Sequence, residues 1–180
     1  PKKIDKADRL VLPGVGAFRR GMDELERHCL VDALLNFSHT GRPLLGICLG
    51  MQMLFDWSQE HGEHRGLGLI SGGVVEIPSI VSGGGRRKIP HIGWNSVSRP
   101  PDVSWGESCL VRVSAGESFY FCHSYMVMPD VSNHIVGNCD YEALQIVAAV
   151  RKENIIGLQF HPERSAAGGL SILSDFTRLL

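Results

Sequence analysis

The chain has 180 residues, room for one domain with a substantial core. Its 18 basic and 19 acidic residues leave a net charge of −1, which excludes the electrostatic footprint of a nucleic-acid or anionic-membrane binder. Hydrophobic residues make up 43% of it, a globular composition, yet no apolar run approaches the length of a membrane-spanning helix.

In chain order, residues 1–8 are polar and read as a loop or frayed end. Residues 9–12 form a short apolar strand, stopped by Pro13-Gly14-Val15-Gly16. Residues 17–36 turn helical, with Met22, Leu25 and Cys29 on one face and a second short helix through Leu30, Leu34 and Leu35. Pro43 leads into a buried strand at 44–47, then a helix with Leu49, Met53 and Trp57 stacked on one face. Strand, helix, strand, helix is the pattern of a parallel sheet with right-handed crossovers. Residues 58–65 read as a solvated loop; His61 and His64 lack a third ligand for a metal. A strand follows at 74–77, and Ser82-Gly83-Gly84-Gly85-Arg86-Arg87 reads as a hairpin turn, without the strand-to-helix context of a phosphate loop. From residue 89 the pattern is β-rich, with strands expected at 94–97, 109–113, 118–123, 135–140, 146–150 and 155–160. An amphipathic helix over 168–180 closes the chain, with Leu170, Leu173, Phe176 and Leu180 on its stripe. No repeat or linker divides it, so one domain over 1–180 is expected.

The stretch with most chemical content is Gly46-Ile47-Cys48-Leu49-Gly50. A strand that turns directly into a helix around G-x-[nucleophile]-x-G is a nucleophile elbow, whose glycines leave no Cβ to collide with nearby backbone. Amides of the new helix face the side chain, so Cys48 is expected to favour thiolate. Taken alone, the motif suits a buried structural cysteine equally well. The tie is broken by His161 and Glu163, which follow the strand at 155–160. In a parallel sheet the C-terminal strand ends share a rim, so His161 can reach Cys48 as general base. In extended backbone residues two apart point the same way, which sets Glu163 beside the imidazole: a Cys–His–Glu triad. An oxyanion donor is expected from the Leu49 amide and another from the loop at Gly14 and Val15. The other cysteines, Cys29, Cys109, Cys122 and Cys139, form no C-x-x-C pair, and no signal-peptide pattern is present. Reduced thiols in a cytoplasmic protein are therefore expected.

Gly46-Ile47-Cys48-Leu49-Gly50-Met51-Gln52 and Gln159-Phe160-His161-Pro162-Glu163 together resemble the class I, or triad, glutamine amidotransferases. Within that family the segments Leu12–Phe18, Pro90–Asn95, Phe119–Tyr125 and His161–Ser165 are most similar to the glutaminase subunits of imidazole glycerol phosphate synthases. The resemblance implies a three-layer, flavodoxin-like α/β fold with a mostly parallel central sheet and an antiparallel β excursion. It implies glutamine hydrolysis through a thioester on Cys48, with His161 and Glu163 completing the triad and Gly14, Val15 and Leu49 around the oxyanion. Gly16, Gln52, Ser124 and Tyr125 would hold the glutamine. Trp94, Asn95, Tyr120 and Arg164 would face a cyclase subunit, a (β/α)8 barrel in a heterodimer, which would receive the ammonia for histidine biosynthesis. No cofactor or metal is implied. Relatives place a βαβ unit ahead of residue 1, so a chain lacking that unit at its N-terminus is expected. A free-standing cysteine hydrolase and a non-catalytic binding subunit are the competing readings.

Overall fold

The computed structural model describes residues 2–81, 84–106 and 108–179. Strand β1 (Leu10–Gly14) leads through helices α1 (Phe18–Arg27) and α2 (Val31–Ser38) to β2 (Leu44–Cys48) and α3 (Leu49–Met53). Next come β3 (Phe55–Ser58), β4 (His64–Arg65), β5 (Ile70–Glu76), β6 (His91–Ser96), β7 (Ser118–His123) and β8 (Tyr125–Pro129). The chain finishes with β9 (Ile135–Tyr141), β10 (Leu144–Lys152), β11 (Ile155–Leu158) and α4 (Ala166–Phe176). No helix among the described residues is long and apolar enough to cross a membrane.

The central sheet has the order β1-β2-β11-β10-β9. Its β1, β2 and β11 are parallel, and β10 and β9 continue it antiparallel. A second sheet, β4-β3-β5-β8, and the hairpin β6-β7 form the excursion. Because side chains alternate across a strand, Leu44 enters one core and Leu45 and Ile47 the other. The first core joins Phe18, Met22 and Leu25 of α1 to Phe55 and Ile70 of the second sheet. The second joins Phe119 and Phe121 of β7 to Phe160 and to Ile172 and Phe176 of α4. Each such side chain removed from water contributes about 1.5–3 kcal/mol, and the two layers hold the parallel strand ends in register.

Several expected elements differ. Cys29 is exposed in the α1–α2 turn at φ 52°, not on the buried face of Met22 and Leu25. Trp57 lies in β3, because α3 ends at Met53 and the next residues pair with β5 instead of continuing the helix. Its indole packs on Gly73, where a Cβ would sit 2.3 Å from the ring. The polar stretch after Trp57 is partly a β3–β4 hairpin. Residues 109–113 form turns rather than a strand: the Ser108 hydroxyl donates to Trp105 O and accepts from Leu110 N. Leu170 is exposed and α4 buries Gly169, Ile172 and Phe176 instead; Leu180 lies outside the described residues. A bridge between Ile80 and Arg86 closes the expected hairpin, whose Ser82 and Gly83 also lie outside them.

Candidate active site

Strands β1, β2 and β11 end on one rim, where the register sets Gly14 opposite Cys48. Cys48 is the last residue of β2 and Leu49 the first of α3, so strand becomes helix with no connection. The turn forces Cys48 to φ 53° and ψ −110°, a conformation that costs a non-glycine residue of order 1–3 kcal/mol. The flanking glycines are sterically required. A Cβ on Gly50 would lie 1.7 Å from the Leu12 carbonyl oxygen, and one on Gly46 2.8 Å from the Gly50 backbone.

The Cys48 thiol is buried, 3.9 Å from the Cys122 carbonyl oxygen, and it accepts an N–H from the Gln159 side chain at 3.8 Å. The expected bias towards thiolate is not found. Burial pushes the thiol up to about 11; the Leu49 N–H opposes this, and Cys122 and Glu163 add to it. A five-residue helix supplies little dipole, and one amide does not replace the solvation a buried sulfur anion loses. At neutral pH the thiol keeps its proton and needs a base.

His161 and Cys48 line one cavity. His161 follows β11 and is buried, with Nδ1 2.8 Å from Glu163 Oε1. The pairing does not come from extended backbone as expected: Pro162–Arg164 is a 3₁₀ turn that folds the carboxylate back. Since a carboxylate only accepts, Nδ1 carries a proton, and in the neutral ring Nε2 is then the bare nitrogen, the tautomer a general base needs. Ser165, which the sequence places in a motif without giving it a role, fastens this turn. Its hydroxyl donates to His161 O at 2.6 Å and accepts from Tyr120 N at 2.9 Å, while His161 N donates to Tyr120 O at 2.8 Å.

Cys48, Leu49 and His161 line one cavity of about 520 Å³, together with Val15, Gly16, Gln52, Ser124 and Tyr125. Gly14 does not line it; a Cβ on Gly14 would lie 3.1 Å from Leu49 Cβ. Gln52 is buried and its Nε2 donates to Tyr125 O and to Gln159 Oε1, both at 3.1 Å. The carboxylates of Glu60 and Glu76 also line the cavity; Glu60 accepts the Phe18 N–H at the start of α1 at 2.5 Å. Nothing in the linear pattern shows that the β3–β4 turn returns Glu60 to this rim.

His123 lines the cavity too and is hydrogen-bonded to its cross-strand neighbour His91 at 3.0 Å and to Tyr125 O at 2.8 Å. Burial lowers both, His91 to about 4 and His123 to about 3, so the pair is neutral at pH 7. Outside the cavity lining, Trp94 on β6 is 56% exposed rather than a core aromatic, edge-on to Tyr120 at 6.3 Å. The Arg164 guanidinium covers the Tyr120 ring at 4.2 Å. Asn95 turns its amide to Asp140 O at 2.9 Å and so braces the hairpin against β9. Among the described residues no group of three or more His, Cys, Asp or Glu is arranged to hold a metal.

A strained thiol, an oriented imidazole and backbone amides around one cavity suit acyl transfer from an amide or ester. Comparison with known proteins narrows this. The family model "Glutamine amidotransferase class-I" matches residues 2–179. The chain is 45% identical over 180 residues to imidazole glycerol phosphate synthase subunit HisH 1 of Legionella pneumophila (strain Lens), covering 99% of this chain and 84% of that protein. It is 44% identical to the subunit HisH of Geobacter sulfurreducens, covering 98% and 82%. A solved structure described as a glutamine amidotransferase superposes with a TM-score of 0.70 at 14% identity, covering 99% of this chain and 82% of that one, a likeness of fold.

Proposed function

Because the chain belongs to the class I glutamine amidotransferase family, we infer that it is the glutaminase subunit of an imidazole glycerol phosphate synthase. It hydrolyses glutamine to glutamate and ammonia, and the ammonia serves histidine biosynthesis. The observation that carries this reading is one cavity lined by both the elbow thiol of Cys48 and His161, the latter held by Glu163. Identities of 44–45% to HisH subunits over nearly the whole chain support the choice within the family.

In the proposed mechanism His161 Nε2 takes the Cys48 proton as the sulfur attacks the side-chain amide carbon of glutamine. The carbonyl oxygen gains charge, and the Leu49 amide with the backbone at Gly14 and Val15 stabilises it. Glu163 stabilises the imidazolium, which then protonates the leaving nitrogen, so ammonia departs and a glutamyl thioester remains on Cys48. His161 next deprotonates a water that attacks the thioester, releasing glutamate and restoring the thiol. Gly16, Gln52 and the backbone of Ser124 and Tyr125 hold the substrate. Its α-ammonium calls for an anionic acceptor, and Glu60 is the carboxylate nearest the start of α1 that lines the cavity.

Trp94, Asn95, Tyr120 and Arg164 face the cyclase subunit, a (β/α)8 barrel into which ammonia passes without meeting solvent. Five free cysteines suit the reducing cytoplasm. The test is glutamine turnover by the chain mixed with a cyclase subunit, with and without the cyclase ligand. The reading expects ammonia release that Cys48→Ala abolishes and the cyclase ligand accelerates; turnover that survives Cys48→Ala contradicts it.

A further inference from the structure

Gln159 is wholly buried and stands between two polar side chains of the site. Which end of its amide faces the sulfur follows from a chain of constraints. Tyr125 O is a carbonyl and only accepts, so Gln52 must turn its NH₂ group to it at 3.1 Å. The same NH₂ group reaches Gln159 at 3.1 Å, so Gln159 must answer with Oε1. Its own NH₂ group is thereby directed at Cys48 Sγ, 3.8 Å away. Flipping either amide would set donor against donor or acceptor against acceptor in a buried site, an expensive mismatch.

We infer that Gln159 is a further catalytic residue, whose side-chain N–H holds the Cys48 sulfur and stabilises it as the proton leaves for His161, with Gln52 as the positioning residue that aims it. The inference rests on the glutaminase reading for its consequence in turnover, but the contact itself concerns the thiol alone. The resting thiol hydrogen bonds to Cys122 O at 3.9 Å, a partner that an ionised sulfur cannot use. Once the proton has moved to His161, the Leu49 and Gln159 N–H groups face the anion alongside the imidazolium. Such a contact strengthens as charge develops, which is the property a catalytic donor requires.

The test is the pH dependence of Cys48 alkylation by iodoacetamide in the full chain, resolved by site with mass spectrometry. The thiolate sulfur displaces iodide, so the rate follows ionisation. The charged or titratable groups that line the cavity with the sulfur or act on it are His161 and Glu163 after β11, Cys122 and His123 on β7, Tyr125 on β8, Glu76 on β5, Glu60 and His61 in the β3–β4 turn, and Arg164; all are retained in the variants.

Gln159→Met removes the donor at similar volume, and Gln159→Glu keeps the shape and acceptor towards Gln52 while presenting a carboxylate to the sulfur. Both are expected to move the Cys48 inflection upward by about one pH unit, equivalent to about a tenfold loss of thiolate at fixed pH. Melting temperatures identify a variant that has failed to fold, in which case the other decides. Folded variants that keep the wild-type inflection overturn the inference, even if their alkylation is slower at every pH. Upward shifts in a wild-type background that never turns over glutamine with a cyclase subunit leave the sulfur contact standing and refute the glutaminase reading.

Discussion

Cys48 occupies a backbone conformation that an L-residue rarely adopts, and its thiol is raised to about 11 by burial. Desolvation opposes a resting thiolate, so in the proposed mechanism reactivity is supplied at the moment of reaction by His161, which lines the same cavity. This makes the His161–Glu163 contact consequential: it fixes the tautomer and stabilises the cation that forms. Replacing Glu163→Gln keeps the size but removes that charge. We expect kcat for glutamine, measured with the cyclase subunit, to fall about a hundredfold or more, with KM little changed. The same variant is expected to lower the Cys48 alkylation inflection, because the Glu163 charge is one of the influences that raise the thiol. Opposite signs for Glu163→Gln and Gln159→Met on one readout would separate a charge that disfavours the anion from a donor that favours it.

At the scale of elements, the elbow depends on the close approach of α3 to β1. Gly50→Ala would drive a Cβ into the Leu12 carbonyl, so we expect a loss of at least about 3 kcal/mol in urea unfolding, or no folded protein. The β6–β7 hairpin has its own signature. Its two buried histidines are depressed from 6.5 to about 4 and about 3, so the unfolded chain binds protons that the native chain refuses. Their contribution is present above pH 6.5 and is lost as pH falls from there towards 4 and then 3, by about 1.4 kcal/mol per pH unit for each proton. His91→Gln should flatten the fall of the urea midpoint between pH 6.5 and 4; an unchanged slope would show that other groups govern it. The elbow and the parallel strands were legible in the sequence because their signals are local: apolar runs, flanking glycines and a proline break. Trp57 was misread because its spacing continues that of Leu49 and Met53, whereas β3 exists through pairing with β4 and β5 further along the chain. Residues 109–113 alternate like a strand, yet Cys109 and Leu110 are both buried in consecutive turns. Strand β8 was missed because Ser124 alone separates it from β7, the chain changing sheets at that corner. Glu60, Ser165 and the Gln52–Gln159 contact escaped for a related reason: each depends on partners 40 or more residues away.

At the scale of the whole molecule, Arg164, which lines the cavity, covers the Tyr120 ring, and the exposed Trp94 stands edge-on to Tyr120. A half-exposed tryptophan is the kind of anchor that dominates a protein interface. We expect Trp94→Ala to weaken binding of the cyclase subunit by about 2 kcal/mol or more, read by calorimetry, while leaving the melting temperature of the chain unchanged. The account as a whole stands on a single arrangement, the Cys48 thiol and the His161 ring lining one cavity, and on the proposal that glutamine binds there. Its most direct test is covalent trapping with a chloroketone analogue of glutamine, the adduct located by mass spectrometry. The account predicts one adduct, on Cys48, slowed by added glutamine and lost in His161→Ala. Labelling that spreads over the exposed Cys29 and Cys122, or that glutamine does not slow, would contradict it.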